Sequence, residues 1–263
     1  MPGSPKGDET RGESPTAMSA TSLAACYAFP SLAPNVLAID VGGSGLKAAV
    51  VNAGGQRVAD RVRIDTPVGS HPDRIVALLA ELVRGLPAYE RIAVGFPGMV
   101  RDGVVRTAPN LDHDAWHGYP LAEAVQRAIG KPARVANDAD VQGLAVIQRR
   151  GVEMVITLGT GFGTALYENG RLCPHLELSQ APFRKGETYD EQLGNAARKA
   201  IGGRKWRRRV KKAIAQLRAL THFDHLYIGG GNARHLDCEL PADVTIVDNE
   251  AGLSGGAFLW SDG

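Results

Sequence analysis

Short apolar runs alternate with glycine-rich turns along most of this chain, a pattern typical of a mixed α/β protein. Residues 36–39 predict a buried strand, residues 42–45 a turn of Gly, Gly, Ser and Gly, and residues 47–51 the return strand. Residues 153–167 repeat this arrangement around a second glycine turn, and residues 225–231 form a strand that enters a third. The repetition predicts a duplicated fold with a cleft between its halves.

The remaining pattern predicts the other helices and strands. In chain order these are a strand at 57–66, a helix at 72–86, a strand at 91–96, a helix at 121–129, a strand at 133–136, a helix at 141–148, a strand at 244–247 and a terminal helix at 251–259. Three strands, a helix and a strand at the front of the chain favour a mixed sheet over a doubly wound one.

The amino-acid composition adds two predictions, one about the structure of the N-terminus and one about the cellular location of the protein. The chain has 263 residues, 44% hydrophobic and 22% charged, with a net charge of +2, so it shows no bias toward nucleic acid or membrane. Residues 1–34 are rich in Pro, Gly, Ser, Thr and charges, which predicts a disordered tail. No segment is apolar for long enough to cross a bilayer. The three cysteines (Cys26, Cys173 and Cys238) are too few and scattered for disulfides or zinc, which favours a cytoplasmic location.

The first glycine turn carries candidate chemistry, because Asp40 directly precedes it. A glycine-rich tip lets backbone N–H groups point at a phosphate. An aspartate there would repel a bare phosphate, but Mg²⁺ between carboxylate and phosphate removes the conflict. An ordinary tight hairpin with a surface aspartate is the alternative, and the turn by itself does not decide between them.

A second candidate lies where the strand at 133–136 passes into the next helix. Asn137, Asp138 and Asp140 follow that strand, and loops at such junctions face the cleft of α/β proteins. A carboxylate there could act as a general base. Asp138 could equally be a helix N-cap beside Asn137, and the two roles do not exclude each other.

Six motifs, taken in order, resemble the ROK family of sugar kinases, within the actin-like and hexokinase-like ATPase superfamily, and most of all its polyphosphate glucokinases. The motifs are residues 39–44 (Ile-Asp-Val-Gly-Gly-Ser), 96–98 (Phe-Pro-Gly), 109–110 (Pro-Asn), 137–140 (Asn-Asp-Ala-Asp), 158–161 (Leu-Gly-Thr-Gly) and 228–231 (Ile-Gly-Gly-Gly). Each is weak alone, but their order and spacing together are specific. The resemblance runs from residue 36 to the C-terminus.

The resemblance implies an α/β, two-lobed actin-like ATPase fold (ribonuclease H-like), with duplicated mixed-sheet domains around a cleft. It implies an N-terminal lobe at 35–136 with the phosphate hairpin and part of the sugar site. The C-terminal lobe would be 137–250, with the catalytic aspartate, the second glycine hairpin and a basic helix. Residues 251–263 would form a terminal helix that packs back on the N-terminal lobe. It also implies a homodimer.

The resemblance also assigns site residues. Asp138 would be the catalytic base, and Asp40 would bind Mg²⁺. The sugar ligands would be Asn110, Asn137, Glu177, Gln180 and Glu191, with Glu187 as the alternative to Glu191. The donor phosphates would face Gly42, Gly43, Ser44, Lys47, Gly159, Thr160, Gly161, Gly230 and Gly231.

Two departures from the family pattern stand out. The cysteine-rich zinc motif is absent, as in the zinc-free polyphosphate glucokinases, so no zinc is expected. Gln180 stands where the family has histidine three residues after Glu177. Glutamine still makes hydrogen bonds but cannot carry a charge as imidazole does. An altered sugar preference or a weak enzyme would follow.

Residues 204–212 contain seven basic side chains in nine positions. On a helix, Trp206, Val210 and Ile214 would form an apolar stripe and the charges would cover the rest. A solvated amphipathic helix is one interpretation. The other is a track for inorganic polyphosphate, with Arg207, Arg208 and Lys211 as its contacts, since a long polyanion rewards a run of cations. Nothing in the sequence resembles a nucleic-acid-binding module.

The sequence therefore predicts a glucokinase that uses polyphosphate as phosphoryl donor, with ATP left open as a second donor. The alternatives are a sugar- or polyphosphate-binding regulator of the same fold, or an ATP-dependent kinase for another hexose. The hexose and the preferred donor are not fixed by the sequence.

Overall fold

The computed structural model describes residues 34–69, 71–109, 111–247 and 251–261. Its strands, in chain order, are β1 Val36–Val41, β2 Leu46–Val51, β3 Val62–Ile64, β4 Arg91–Phe96, β5 Val100–Arg101, β6 Val104–Val105, β7 Ala133–Asn137, β8 Val152–Leu158, β9 Phe162–Glu168, β10 Arg171–Leu172, β11 Pro182–Arg184, β12 Glu187–Thr188, β13 His225–Gly229 and β14 Val244–Ile246. Its helices are α1 Pro72–Leu82, α2 His113–Trp116, α3 Leu121–Ile129, α4 Asp138–Leu144, α5 Tyr189–Leu193, α6 Asn195–Ile201, α7 Gly203–Thr221 and α8 Ala251–Ser254. The 3₁₀ segments are Leu178–Gln180, Ala233–His235 and Gly255–Trp260.

Two five-stranded sheets of the same topology dominate the fold. The first has the order β3-β2-β1-β4-β7 and the second the order β10-β9-β8-β13-β14. In each sheet an antiparallel meander supplies the first three strands, and the last two run parallel to the central one. The predicted duplication and the predicted fold class are confirmed. We call the first sheet with α1 and α3 the first lobe, and the second sheet with α5, α6 and α7 the second lobe.

The helix α4 lies between the two sheets, because it contacts strands of both. It touches β4 and β7 of the first sheet and β8 and β9 of the second. Its first residue, Asp138, therefore lies where the two lobes meet.

Each lobe has its own apolar core. In the first, α1 and α3 pack on one face of the sheet, where Ile75, Leu79 and Leu121 are fully buried. The terminal segment covers the opposite face through Leu253 and Ala257. In the second lobe, the stripe predicted on α7 is buried as expected: the exposed fractions of Trp206, Val210 and Ile214 are 0%, 0% and 3%.

The helix α3 is an element whose bounds the local sequence pattern predicts correctly. Its bounds are those predicted, because Pro120 precedes an amphipathic run and Gly130 ends it with φ of 82°. A left-handed residue at this position closes the helix, and glycine adopts that conformation without a steric cost.

Four predicted elements differ from the observed ones. The strand predicted at 57–66 is reduced to β3 and an isolated bridge from Arg57 to Val51, because only residues 62–64 pair with β2 as a continuous strand. The helix predicted at 72–86 ends at Leu82, and the one predicted at 141–148 is α4, which begins earlier at Asp138. The predicted terminal helix is α8 followed by a 3₁₀ segment. Close packing explains that last change, since a Cβ atom at Gly255 would lie 1.7 Å from the carbonyl oxygen of Val141.

Among the described residues, no helix is both long and apolar enough to cross a lipid bilayer.

Candidate active site

The carboxyl ends of three neighbouring parallel strands bring the predicted catalytic residues together. Asp40 on β1 pairs with Gly95 on β4, and Phe96 pairs with Asn137 on β7. A Cβ atom at Gly95 would lie 3.4 Å from the Cα of Asp138, so a larger residue would press on the start of α4. Asp40 and Asp138 thus flank the same glycine at one edge of the sheet, which is where open α/β sheets bind ligands.

Asn137 is the N-cap of α4, and Asp138 is the first residue of the helix. The side-chain oxygen of Asn137 accepts a hydrogen bond from the backbone N–H of Ala139 at 2.8 Å. Its amide nitrogen donates to the carbonyl oxygen of Gly98 at 3.0 Å, which ties the Phe-Pro-Gly turn to the helix. Asp138 Oδ1 accepts from the same N–H of Ala139 at 2.8 Å, so the two side chains share this contact at the start of α4.

The environment of Asp138 favours its neutral form. The pKa of this half-buried carboxyl is raised to about 7, first by desolvation and next by the negative charge of Asp40. A smaller contribution from Asp140 acts in the same direction. The backbone N–H of Ala139 and the charge of His175 lower the pKa. A carboxylate with a pKa near neutrality suits a general base.

Glu177 reaches the same site from the second lobe. Its Oε1 accepts a short hydrogen bond from Ser179, and its Oε2 accepts one from Thr107 at 3.4 Å. Thr107 belongs to the first lobe and also accepts from the backbone N–H of Met99. The carboxylate of Glu177 therefore spans the cleft. His175 Nε2 lies 3.9 Å from its Oε2.

The other predicted sugar ligands divide into three cases. Gln180 lies in the same network, where its Nε2 donates to Ser179 at 3.2 Å. Glu191 is exposed, and its carboxylate accepts from the backbone and hydroxyl of Thr188 in a capping box. Asn110 lies outside the described residues. The roles of all three in sugar binding stay predictions, and Glu191 has a structural role that competes with the predicted one.

The first glycine turn is a tight hairpin tip. The N–H of Gly42 donates to the carbonyl oxygen of Gly45 at 3.0 Å, which leaves Gly43 and Ser44 exposed at the end. Behind the tip, Lys47 Nζ lies 2.7 Å from Asp40 Oδ2. The two are direct neighbours across the antiparallel pair of β1 and β2.

Two further cations lie beside this ion pair and were missed in the sequence. Arg57 and Arg61 line a cavity of about 120 Å³ together with Asp40 and Lys47. Both arginines belong to the segment interpreted as a strand. Because that segment is mostly a loop, its side chains can converge on Asp40, and no strand periodicity would have indicated it.

The second and third glycine turns meet in the second lobe. The side chain of Asn232 donates to the carbonyl oxygen of Gly159 at 2.9 Å, and its backbone N–H donates to Leu158. Gly230 has φ of 87° and leaves no room for a side chain, since a Cβ atom would lie 2.4 Å from the Leu158 carbonyl oxygen. The second and third glycine turns, which the resemblance assigns to the donor, are therefore in direct contact with each other.

Asp190 is a third residue that sequence reasoning missed. It accepts a hydrogen bond from the N–H of Phe162 at 2.7 Å, and a Cβ atom at Gly161 would lie 2.2 Å from its Oδ1. Desolvation raises its pKa, and the charges of Glu177 and Glu191 add to that effect. The capping-box pattern of Thr188 and Glu191 was readable in the sequence. That pattern predicts a capping role for Glu191 at the helix N-terminus, which leaves Asp190 as the acidic residue of this turn that is available to the site.

The three basic residues of α7 that are predicted to contact polyphosphate differ in their exposure and ion pairing. Arg207 forms an ion pair with Asp237 at 2.8 Å, next to the third glycine turn. Arg208 and Lys211 are exposed and form no ion pair with another described residue. These two are spaced by three residues, so they share one face of the helix.

No cluster of three or more His, Cys, Asp or Glu side chains that could hold a metal is found within the described ranges. Cys173 and Cys238 are free thiols. Cys26 lies outside the described residues. The residues that could contribute to a metal site together with donor phosphates are Asp40 and, across Gly95, Asp138.

A duplicated sheet with aspartates at its carboxyl edge and glycine turns on both sides of a cleft defines the actin-like class of phosphotransferase folds. Residues 36–174 match the ROK family. The chain belongs to this family. It is 30% identical over 237 residues to a polyphosphate glucokinase of Mycobacterium tuberculosis, a match that covers 84% of this chain and 89% of that protein.

Solved structures give the same assignment. The chain superposes with a TM-score of 0.77 on an inorganic polyphosphate/ATP-glucomannokinase from Arthrobacter sp. strain KM, at 28% identity, covering 86% of this chain and 98% of that one. A ROK family glucokinase from Streptomyces griseus in complex with glucose and AMPPNP gives a TM-score of 0.69 at 21% identity, covering 87% and 100%. The second match shows the fold alone.

The predicted family, its polyphosphate glucokinase relatives and, at the level of the family, the predicted phosphotransferase are therefore confirmed. The hexose, the donor, the oligomeric state and the roles of individual residues stay predictions.

Proposed function

We propose that the protein transfers a phosphoryl group from inorganic polyphosphate or ATP to the 6-hydroxyl of glucose. The observation that carries this proposal is the position of Asp138. Asp138 is the first residue of the helix that contacts both sheets, and the pKa of its carboxyl is raised to about 7. The relatives named as glucokinases and glucomannokinase support glucose and mannose as the sugars to test first.

In this proposal Asp138 takes the proton of the attacking hydroxyl. The sugar oxygen forms a bond to phosphorus, the bond from phosphorus to the bridging oxygen of the donor breaks, and the shortened donor leaves with the electron pair. A base of pKa near 7 is ionised often enough at neutral pH to accept the proton. Asn137, through its remaining N–H, and Glu177 would orient the sugar.

On the donor side, the three glycine turns would bind phosphate oxygens through backbone N–H groups. Lys47, Arg57 and Arg61 would neutralise charge at the end of the donor that reacts, because they line one cavity with Asp40. Phosphoryl transfer depends on positioning and charge neutralisation, which is what this arrangement of residues offers.

Asp40 is the residue proposed to hold Mg²⁺. One carboxylate and several phosphate oxygens form a typical magnesium donor set, so a site that lacks a full set of protein ligands fits this ion. When bound, Mg²⁺ would neutralise the donor phosphates. Lys47 would hold the carboxylate of Asp40 in place through its ion pair.

Polyphosphate is proposed as the preferred donor because of α7. Arg208 and Lys211 present exposed charge, and an extended chain of phosphates can reach charges that a nucleotide triphosphate does not. This is the part of the proposal that distinguishes it from an ATP-dependent hexokinase. A homodimer is proposed on the resemblance alone.

The experiment is a matrix of sugars against donors. Purified protein is mixed with glucose, mannose or N-acetylmannosamine and either ATP or polyphosphate of defined length, and the hexose 6-phosphate formed is measured. The proposal expects product with glucose and polyphosphate at the highest kcat/KM. Product only with ATP would reject polyphosphate as the preferred donor, and no product with any pair would reject the kinase.

A further inference from the structure

A buried cluster beside the proposed sugar site has no part in the chemistry described so far. His175 Nδ1 lies 3.0 Å from Asp140 Oδ1, and His175 Nε2 lies 3.9 Å from Glu177 Oε2. The side chains of His175 and Asp140 are only 6% and 3% exposed, whereas that of Glu177 is 22% exposed. The imidazole thus lies between a buried carboxylate and one that faces the cleft.

Stability does not explain this arrangement. Removing a carboxylate and an imidazole from water is costly, and well-packed apolar side chains at such positions are often as stable or more so. A buried, hydrogen-bonded polar pair does fix one orientation, and the bond between His175 Nδ1 and Asp140 Oδ1 at 3.0 Å does so for the imidazole. Orientation is therefore what the pair of Asp140 and His175 supplies.

We infer that His175 is a positioning residue which, anchored by Asp140 on the helix of the proposed base, holds the carboxylate of Glu177 in the orientation that binds the sugar. This inference rests on the proposed function, because Glu177 must be a sugar ligand. Asp140 lies two residues after Asp138, so the cluster joins the helix of the base to the ligand.

The hydrogen bonds of Glu177 leave room for a sugar. A carboxylate has about four acceptor directions. Ser179 occupies one on Oε1 and Thr107 one on Oε2, and His175 approaches Oε2 as well. At least one direction stays open for a hydroxyl donor. The two hydrogen bonds and the neighbouring imidazole together restrict rotation of the Glu177 carboxylate.

Charge strengthens the same arrangement. Burial lowers the pKa of His175, but the hydrogen bond to Asp140 and the charges of Asp140, Glu177 and Asp138 outweigh it and leave the pKa raised. The imidazolium form donates from both ring nitrogens, with Nδ1–H on Asp140 and Nε2–H directed at Glu177. It also offsets repulsion among the carboxylates around the cleft.

Two substitutions of His175 separate its hydrogen bond to Asp140 from its contact with Glu177. In His175→Asn the amide replaces Nδ1, so the bond to Asp140 is kept and the contact with Glu177 is lost. In His175→Gln the amide reaches toward the position of Nε2, so the anchor on Asp140 is lost. His225→Asn is the matched control, because His225 contacts Thr245 on the far side of the second lobe.

Sugar affinity is measured first without any donor, by calorimetric titration with glucose and mannose. Both variants of His175 are expected to raise the sugar Kd by about tenfold, the size expected for one charge-assisted contact. In the kinetic assay, the KM for the donor should stay within about twofold of wild type. The value of kcat at saturating sugar is compared at pH 9, because loss of the His175 charge also raises the pKa of Asp138 and lowers kcat near neutral pH. The melting temperature of His175→Gln should fall, because this variant leaves the buried carboxyl of Asp140 without its partner. The His225→Asn control should keep the wild-type sugar Kd.

A double-mutant cycle with Glu177→Gln decides the mechanism. If His175 acts through Glu177, then His175→Asn adds no further loss of sugar affinity to Glu177→Gln. A wild-type sugar Kd in His175→Asn, or losses that multiply in the double variant, would overturn the inference. Sugar binding without turnover in the wild type would reject the kinase alone, whereas normal turnover with a wild-type Kd in both His175 variants would reject the positioning role alone. If the wild type binds no sugar, both are rejected.

Discussion

The side-chain oxygen of Asn137 lies 2.8 Å from the backbone nitrogen of Ala139, so Asn137 caps the helix that Asp138 begins. The cap and the proposed base are therefore neighbouring residues. Asp138 Oδ1 accepts from the same N–H, which lowers the pKa of its carboxyl, but desolvation and the charge of Asp40 outweigh this bond and leave the pKa raised.

The rate should depend on the ionisation of Asp138. Because the carboxyl must be deprotonated to accept the hydroxyl proton, kcat/KM for the sugar is expected to fall tenfold per pH unit below about pH 7, the pKa to which Asp138 is raised. Initial rates from pH 5 to 9 at saturating donor measure this. An acidic limb centred near the pKa of an ordinary carboxyl, roughly pH 4, would contradict the assignment.

Stability should respond to the same group in the opposite sense. Between the ordinary pKa of 3.8 and the folded value of about 7, the folded state holds a proton that the unfolded state has lost. Stability therefore falls as pH rises through this window. The variant Asp138→Asn cannot ionise, so its melting temperature should exceed that of wild type at pH 8 and approach it at pH 4.

Thermal unfolding at the two pH values, followed by circular dichroism, makes the comparison. The exposed Asp114→Asn is the matched control, and its melting temperature should follow that of wild type at both pH values. A difference between Asp138→Asn and wild type that is the same at pH 4 and pH 8 would contradict the raised pKa.

Neutralising the exposed charges of α7 should affect a long donor more than a short one. The double variant Arg208→Ala, Lys211→Ala is expected to raise the KM for long-chain polyphosphate by about tenfold and to leave the KM for ATP unchanged. The effect should shrink with added salt, since exposed charges are screened over about 8 Å at physiological ionic strength. Arg207 is left in place because its ion pair with Asp237 serves the fold.

The matched control for α7 removes two exposed arginines, one from α1 with Arg74→Ala and one from the turn after it with Arg84→Ala. It changes the net charge equally and should leave both donors unaffected. Equal losses with both donors in the α7 variant would point to a disturbed fold, and no loss with either would make α7 a solvated surface.

The cavity beside Asp40 should serve both donors alike. Arg61 is exposed and lines that cavity, where the reacting phosphates are common to ATP and polyphosphate. The variant Arg61→Ala is expected to raise the KM for the two donors by a similar factor of about ten. Arg84→Ala serves as the single-residue control. A loss confined to polyphosphate would move Arg61 from the reacting end to the track along α7.

Much of the fold was readable because its pattern is local. The apolar run of α3 lies between Pro120 and Gly130, and the strands β1 and β2 enclose a turn that only small residues allow. The same holds for the stripe of Trp206 and Val210 on α7. In each case the periodicity and the residue that ends the element lie within a few positions of each other.

The contacts within the site were harder to predict from the sequence, because they join residues far apart in the chain. Asp140 and His175 are separated by 35 positions, and neither has a local pattern that indicates the other. Arg57 and Arg61 contribute to the cavity only because their segment does not form the predicted strand. The residues that the sequence did place, Asp40, Asp138 and Glu177, were placed by motif and not by periodicity.

The most direct test of the proposal is turnover by Asp138→Asn, measured as hexose 6-phosphate formed with glucose and each donor at saturation. The variant keeps the size of the side chain and the cap from Asn137, so sugar binding by calorimetric titration should stay close to that of wild type. Loss of a general base lowers kcat by about 10²–10⁴-fold, and this is the expected result with both donors. A wild-type kcat in a variant that binds glucose normally would show that Asp138 is not the base and would contradict the account.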